Sequence, residues 1–232
     1  MNKTISIICV LFSLLNLPSF IAQESKNFDL TKFDKLIIQG RYEAEINYGD
    51  SLKLEAVAHD SEIDFNNLSL TYSDESLTIK YKGSLLEDVA LNLIITLPEL
   101  SYVEARAGCE IRVNKKFDFK RKPVHLYADS GGKISLKGID APWVKAEITK
   151  GGSIKVTGKT ALFDASVRTG GTIGAANLKA KKVTAEVAFG GEIICNPEEK
   201  LDAKVTSGGT IDYMGSPKVS QNIRLGGNIN NI

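Results

Sequence analysis

The sequence predicts an all-β fold: a parallel, right-handed β-helix of six or seven coils of 18–20 residues, preceded by an irregular strand-rich part. Three observations predict it. Gly-Gly-x-Ile recurs at Gly131–Ile134, Gly151–Ile154, Gly170–Ile173, Gly190–Ile193, Gly208–Ile211 and Gly226–Ile229, with Ile spacings of 20, 19, 20, 18 and 18. Seven, five and three residues before each first Gly, seventeen of eighteen positions are apolar, Gln221 being the exception. The positions between them are mostly polar, which is the period-2 alternation of a strand with one buried face.

Each unit therefore reads as strand, Gly-Gly turn, second short strand and variable loop. One such unit cannot bury its apolar side alone, so near-constant repetition means stacking. Ala146, Ala165, Ala185 and Ala203 fall in one inward column. Glycine recurs at the turn because the chain there needs positive φ. Gly108-Cys109-Glu110-Ile111 is a degenerate first copy.

Upstream, residues 23–100 lack the Gly-Gly mark. They still alternate as strands at Lys35–Ile38, Ala44–Ile46, Leu52–Val57, Leu68–Leu70, Leu77–Ile79 and Leu91–Thr96. These segments are expected either to cap the first coil or to extend the stack. An open coil end is a template for association, so a cap is physically required. The expected division is residues 1–22, 23–100 and 101–232, the last two forming one continuous domain.

Residues 1–22 have a basic start at Lys3, an apolar run from Ile5 to Leu17, a break at Pro18 and a cleavage point near Ala22-Gln23. This is the layout of a secretory signal peptide, too short for a spanning helix. Export to the periplasm, the outer-membrane surface or the exterior is expected, with no transmembrane segment in the mature chain. Export would ordinarily pair Cys109 with Cys195. The register places them four coils apart, roughly 19 Å, and a disulfide needs Cα atoms within about 7 Å. Two free thiols are expected.

The 29 basic and 28 acidic residues nearly cancel, which excludes the basic surface that non-specific nucleic-acid binding uses. Three outward columns follow from the register. One runs His125, Lys145, Asp164, Thr184, Asp202, Ser220; the second Tyr127, Glu147, Ser166, Glu186, Lys204, Asn222; the third Asp129, Thr149, Arg168, Ala188, Thr206, Arg224. No two carboxylates adjoin within a column, so the paired acids of a glycosidase are not expected. Lys145 and Asp164 read as a surface ion pair. Two histidines make a zinc site improbable, and Ile stands where a calcium β-roll needs glycine. No catalytic, cofactor-binding or metal-ligating residue is predicted. Candidate ligand contacts are aromatic: Trp143 in an inter-coil loop, with Tyr127 and Tyr213 at coil positions.

The Gly-x-Ile coil signature, the closing Gly226-Gly227-Asn228-Ile229-Asn230, the signal peptide and the strand-rich N-terminal part resemble the auto-transporter adhesin "head GIN domain" family of exported proteins common in Bacteroidetes. The resemblance covers about residues 30–230. It implies a β-helix and an adhesin-like role and transfers no catalytic residue. The expected function is an exported, non-enzymatic surface interaction module with a glycan or protein partner. Alternatives are a carbohydrate-active enzyme on the same fold and a structural envelope protein associating end to end as a homo-oligomer.

Overall fold

The computed structural model describes residues 24–60, 62–83, 85, 88–114, 117–119 and 122–232. The expected signal peptide lies outside them. Among the described residues no helix is long and apolar enough to cross a membrane. Among the described residues the regular structure is all strand apart from a 3-10 turn at Phe65–Asn67.

The strands in chain order are β1 (Glu24–Asp29), β2 (Lys35–Gln39), β3 (Arg41–Tyr48), β4 (Lys53–Ala58), β5 (Leu68–Ser73), β6 (Ser76–Tyr81), β7 (Asp88–Leu97), β8 (Tyr102–Arg106) and β9 (Glu110–Val113). They continue as β10 (Val124–Asp129), β11 (Lys133–Lys150), β12 (Ser153–Thr169), β13 (Thr172–Phe189), β14 (Glu192–Ser207), β15 (Thr210–Tyr213), β16 (Lys218–Ile223) and β17 (Asn228–Asn231). The last six Gly-Gly turns carry a β-solenoid of about six turns, as the repeat predicts.

Two parallel ladders run the length of the molecule. Face 1 stacks β6, β2, β8, β10, the second halves of β11 to β14, and β16. Face 2 stacks β7, β3, β9, the first halves of β11 to β14, β15 and β17. A short third side links them through pairs such as Asp140↔Lys159↔Lys179. Register shifts between Leu136 and Ile139, Lys155 and Gly158, and Gly174 and Lys179 absorb the unequal unit lengths at this side.

Between the faces lies one apolar column system. Val144, Ala146, Leu126, Val183 and Ala185 are at most 2% exposed, as are Ile154, Ile173 and Ile193. The turns explain why two glycines are needed. Gly190 has φ +70° with open space where a Cβ would sit, so only its backbone conformation demands glycine. At Gly191 a Cβ would also lie 2.9 Å from the Gly171 carbonyl oxygen and 2.6 Å from Val167. That carbonyl accepts the Glu192 N–H at 2.9 Å, tying one turn to the one below.

The N-terminal strands both extend and cap the stack. β6 and β7 form the terminal rung, and β2 and β3 slide between them and β8 and β9, out of sequence order. Three strands then turn antiparallel: β5 on β6, β4 on β7 and β1 on β4. The β5–β6 hairpin turns on Asp74 and Glu75, both at positive φ. Leu54, Ala56, Phe65 and Leu68 close that end.

Cys109 and Cys195 are both buried and free. Burial pushes the Cys195 thiol up to about 12, helped by the Asp212 carboxylate, and pushes Cys109 higher still.

Candidate functional site

The outward side of face 1 carries a connected set of polar and aromatic groups. On β8, Tyr102, Glu104 and Arg106 alternate outward while Val103 and Ala105 point into the core. Glu104 is nonetheless only 2% exposed. The Tyr102 hydroxyl donates to its Oε2 at 2.8 Å, and the Arg106 guanidinium bonds its Oε1. A buried carboxylate is costly unless paired and hydrogen-bonded, and here both oxygens are held. The Tyr102 phenol is pushed well up by burial first, then by the bond to Glu104 and its charge.

The next rungs continue this network. His125 stands opposite Tyr102, their rings edge to face at 4.9 Å. Its Nε2 meets Glu147, and the Lys145 ammonium lies 3.0 Å from the other Glu147 oxygen. Burial alone would raise the Glu147 carboxyl, but the bonds to Lys145 and His125 outweigh it and hold it below its ordinary 4.5. The Tyr127 hydroxyl bonds Thr149.

Trp143 is placed differently from the expectation. It lies within β11, opposite Leu162 of β12, and not in a loop, because the third side of the coil is itself extended and paired. Its indole is 39% exposed, and the Nε1–H donates to Asp164 Oδ2 at 2.8 Å. The expected Lys145–Asp164 ion pair does not form. Lys145 turns along its own strand to Glu147, leaving Asp164 to the indole. Of the three aromatic candidates, Tyr127 and Trp143 thus share this region. Tyr213 sits on β15 of face 2, half-buried against the core.

Sequence reasoning did not single out Tyr102, Glu104 and Arg106. Their signal is a Tyr-x-Glu-x-Arg alternation that puts donor, acceptor and donor on one side of one strand. Face 2 holds a further feature outside the repeat. Glu43 of β3 stands opposite Glu110 of β9, and Arg112 bonds both at 2.7 Å. The Glu43 carboxyl is lowered, chiefly by that bond. Arg112 and Glu43 are about half exposed and Glu110 about a third, so this is a surface ion-pair cluster of small energetic weight.

Among the described residues no group of three or more His, Cys, Asp or Glu is placed to hold a metal ion. Around β8, β10 and β11 the charges at the centre of face 1 are engaged with one another. Such a surface suits recognition by shape, stacking and hydrogen bonding.

Similar folds are known. A putative adhesin of Bacteroides fragilis NCTC 9343 superposes with a TM-score of 0.76 at 20% identity, covering 90% of this chain and 97% of that one. A putative adhesin of Parabacteroides merdae gives 0.67 at 17% identity, over 90% and 96%. A putative lipid binding protein of Parabacteroides distasonis gives 0.69 at 20% identity, over 90% and 96%. At these identities the likeness shows the fold. No curated protein matches. Residues 32–217 match the family described as putative auto-transporter adhesin, head GIN domain, and the chain belongs to that family.

Proposed function

We propose that this chain is an exported, non-enzymatic interaction module that binds a glycan or protein partner through face 1. The observation that supports it is the preordered Tyr102–Glu104–Arg106 and His125–Glu147–Lys145 network, flanked by Tyr127 and the half-exposed Trp143. Groups already locked by their neighbours lose little freedom on binding. Aromatic faces stack on sugar rings and anchor protein interfaces alike. Membership of an adhesin family and an expected signal peptide agree with this reading.

The purified chain, screened on a glycan array and on extracellular-matrix proteins, should bind a member of one class. The double substitution Y127A/W143A should weaken that binding roughly tenfold or more. Binding to neither class, or binding untouched by the double substitution, contradicts the reading. Cleavage of a bound glycan would instead favour a carbohydrate-active enzyme. Lipid binding, for which the Parabacteroides distasonis relative is named, would move the activity off face 1 if Y127A/W143A left it unchanged.

A second reading, self-association, rests on the other end of the stack. Ile223 is 43% exposed and Leu225 77%, and β16 and β17 have no strand on their outer side among the described residues. The antiparallel cap closes the opposite end, so two copies would meet tail to tail and stop at a dimer. Gln221, in the column that alanine fills below it, and Asn231 blunt that edge.

A further inference from the structure

Beyond the paired network, face 1 changes character. Between the register pairs Val167↔Val187 and Thr169↔Phe189, Arg168 stands over Ala188, and Thr206 follows on the next rung. Ala188 is the one methyl side chain in an outward column otherwise filled by Asp129, Thr149, Arg168, Thr206 and Arg224. It leaves a hollow of about 250 Å³. Its lining includes Ser166, Arg168, Glu186, Ala188, Lys204 and Thr206.

The charges of this hollow do not cancel. Lys204 lies 3.5 Å from Glu186. Among the described residues Arg168 has no carboxylate in ion-pair reach, and the two acids flanking it in the neighbouring column are engaged elsewhere, Glu147 by His125 and Lys145 and Glu186 by Lys204. A guanidinium fork with free N–H groups is matched by a carboxylate, which it binds through two parallel bonds. The Ser166 and Thr206 hydroxyls both donate and accept, and Glu186 accepts. One carboxylate surrounded by several hydroxyls satisfies this set. A phosphate dianion fits less well, because it would bring a second negative charge beside Glu186. The volume is below the roughly 300 Å³ of pockets that hold drug-sized ligands, so one ring-sized unit fits.

We infer that the Arg168–Ala188–Lys204 hollow binds the carboxylate-bearing unit of an acidic polysaccharide, a hexuronic acid residue. The inference rests on the glycan form of the function proposed above and names the sugar class. Arg168 bonds the carboxylate, Lys204 adds charge, and Ser166, Glu186 and Thr206 meet the ring hydroxyls. Neighbouring units of the polymer extend along face 1 toward Trp143.

The test is calorimetric titration of the purified chain with hexuronate oligosaccharides, their methyl esters and the corresponding neutral hexose oligosaccharides. The acids should bind roughly tenfold or more tightly than the esters and neutral sugars, and rising salt should weaken the acids alone. R168Q should remove that preference. A188Q, which fills the hollow at a solvent-facing strand position, should weaken the acids to the level of the neutral sugars. Unchanged circular dichroism and melting temperature would show both variants folded. Equal binding of all three sugar sets, unaffected by R168Q, overturns the inference and leaves glycan binding by face 1 intact. No binding of any hexuronate also overturns it, and the array screen then decides separately whether face 1 binds another glycan.

Discussion

Two halves of the same face behave differently. Around β8, β10 and β11 the carboxylates Glu104 and Glu147 are each paired, Glu104 with Arg106 and Glu147 with His125 and Lys145. Near β12 and β13 the Arg168 guanidinium stands over an alanine with no ion-pair partner among the described residues. The backbone beneath the two halves is identical in kind, so the difference is set by side chains alone. A paired network makes a surface rigid, and an unpaired cation beside a hollow leaves it receptive. The solenoid allows both because each outward position can change without disturbing the inward column behind it.

The largest effect tests what the halves share. Gly191→Ala should destabilise by about 3 kcal/mol or more, since its Cβ meets both a carbonyl and Val167 and its φ is +98°. Gly190→Ala, strained only in φ, should cost about 1–2 kcal/mol. Equal costs in urea denaturation would show that turn stacking does not limit that position.

Next comes the contrast itself. Glu104→Ala strips a buried acceptor from Tyr102 and Arg106 and should cost about 2–3 kcal/mol. Arg168→Gln, at an exposed side chain without an ion-pair partner, should stay within about 0.5 kcal/mol. If Arg168→Gln costs as much as Glu104→Ala, the two halves do not differ.

A smaller effect concerns acid. The Glu147 carboxyl titrates below its ordinary 4.5 in the folded chain. The folded state therefore binds this proton less readily than the unfolded chain. The stabilisation is present above the unfolded pKa and is lost as pH falls from about 4.5 through the folded value. Urea midpoints measured from pH 6 to pH 3 (on the order of one proton's linkage) should fall less steeply in Glu147→Gln. An unchanged slope would remove Glu147 from the network.

Smallest of all should be any response of the thiols. Cys109 and Cys195 are buried, and burial disfavours the reactive thiolate. A thiol reagent should modify both only after unfolding, and the intact mass should be the same with and without reductant. Rapid labelling of the native chain would contradict the packing of the inward columns.

Much of the frame was legible because its constraints are local and repeated. Each Gly-Gly pair and the alternating apolar run before it say the same thing at nearly the same spacing. The insertion of β2 and β3 between the terminal rung and β8 was not legible. All these strands alternate alike, and stacking order depends on which edges meet, a non-local choice. Pro142 before Trp143 signals a loop, yet the third side of the coil is extended and pairs across rungs. Glu104 was missed for a related reason. An outward carboxylate reads as solvated until Tyr102 and Arg106, two positions either side, fold over it. The hollow at Ala188 was visible as a letter in a column, but its meaning needed the partners of its neighbours.

The most direct test compares faces. A glycan or protein ligand found by screening should be titrated against two folded variants of equal charge change, Arg168→Gln on face 1 and Arg112→Gln on face 2, alongside Y127A/W143A. The account predicts roughly tenfold or greater weakening for Y127A/W143A and for Arg168→Gln, the latter for an acidic glycan, with Arg112→Gln unchanged. Loss of binding in Arg112→Gln, with both face 1 variants binding as the parent chain does, would contradict it.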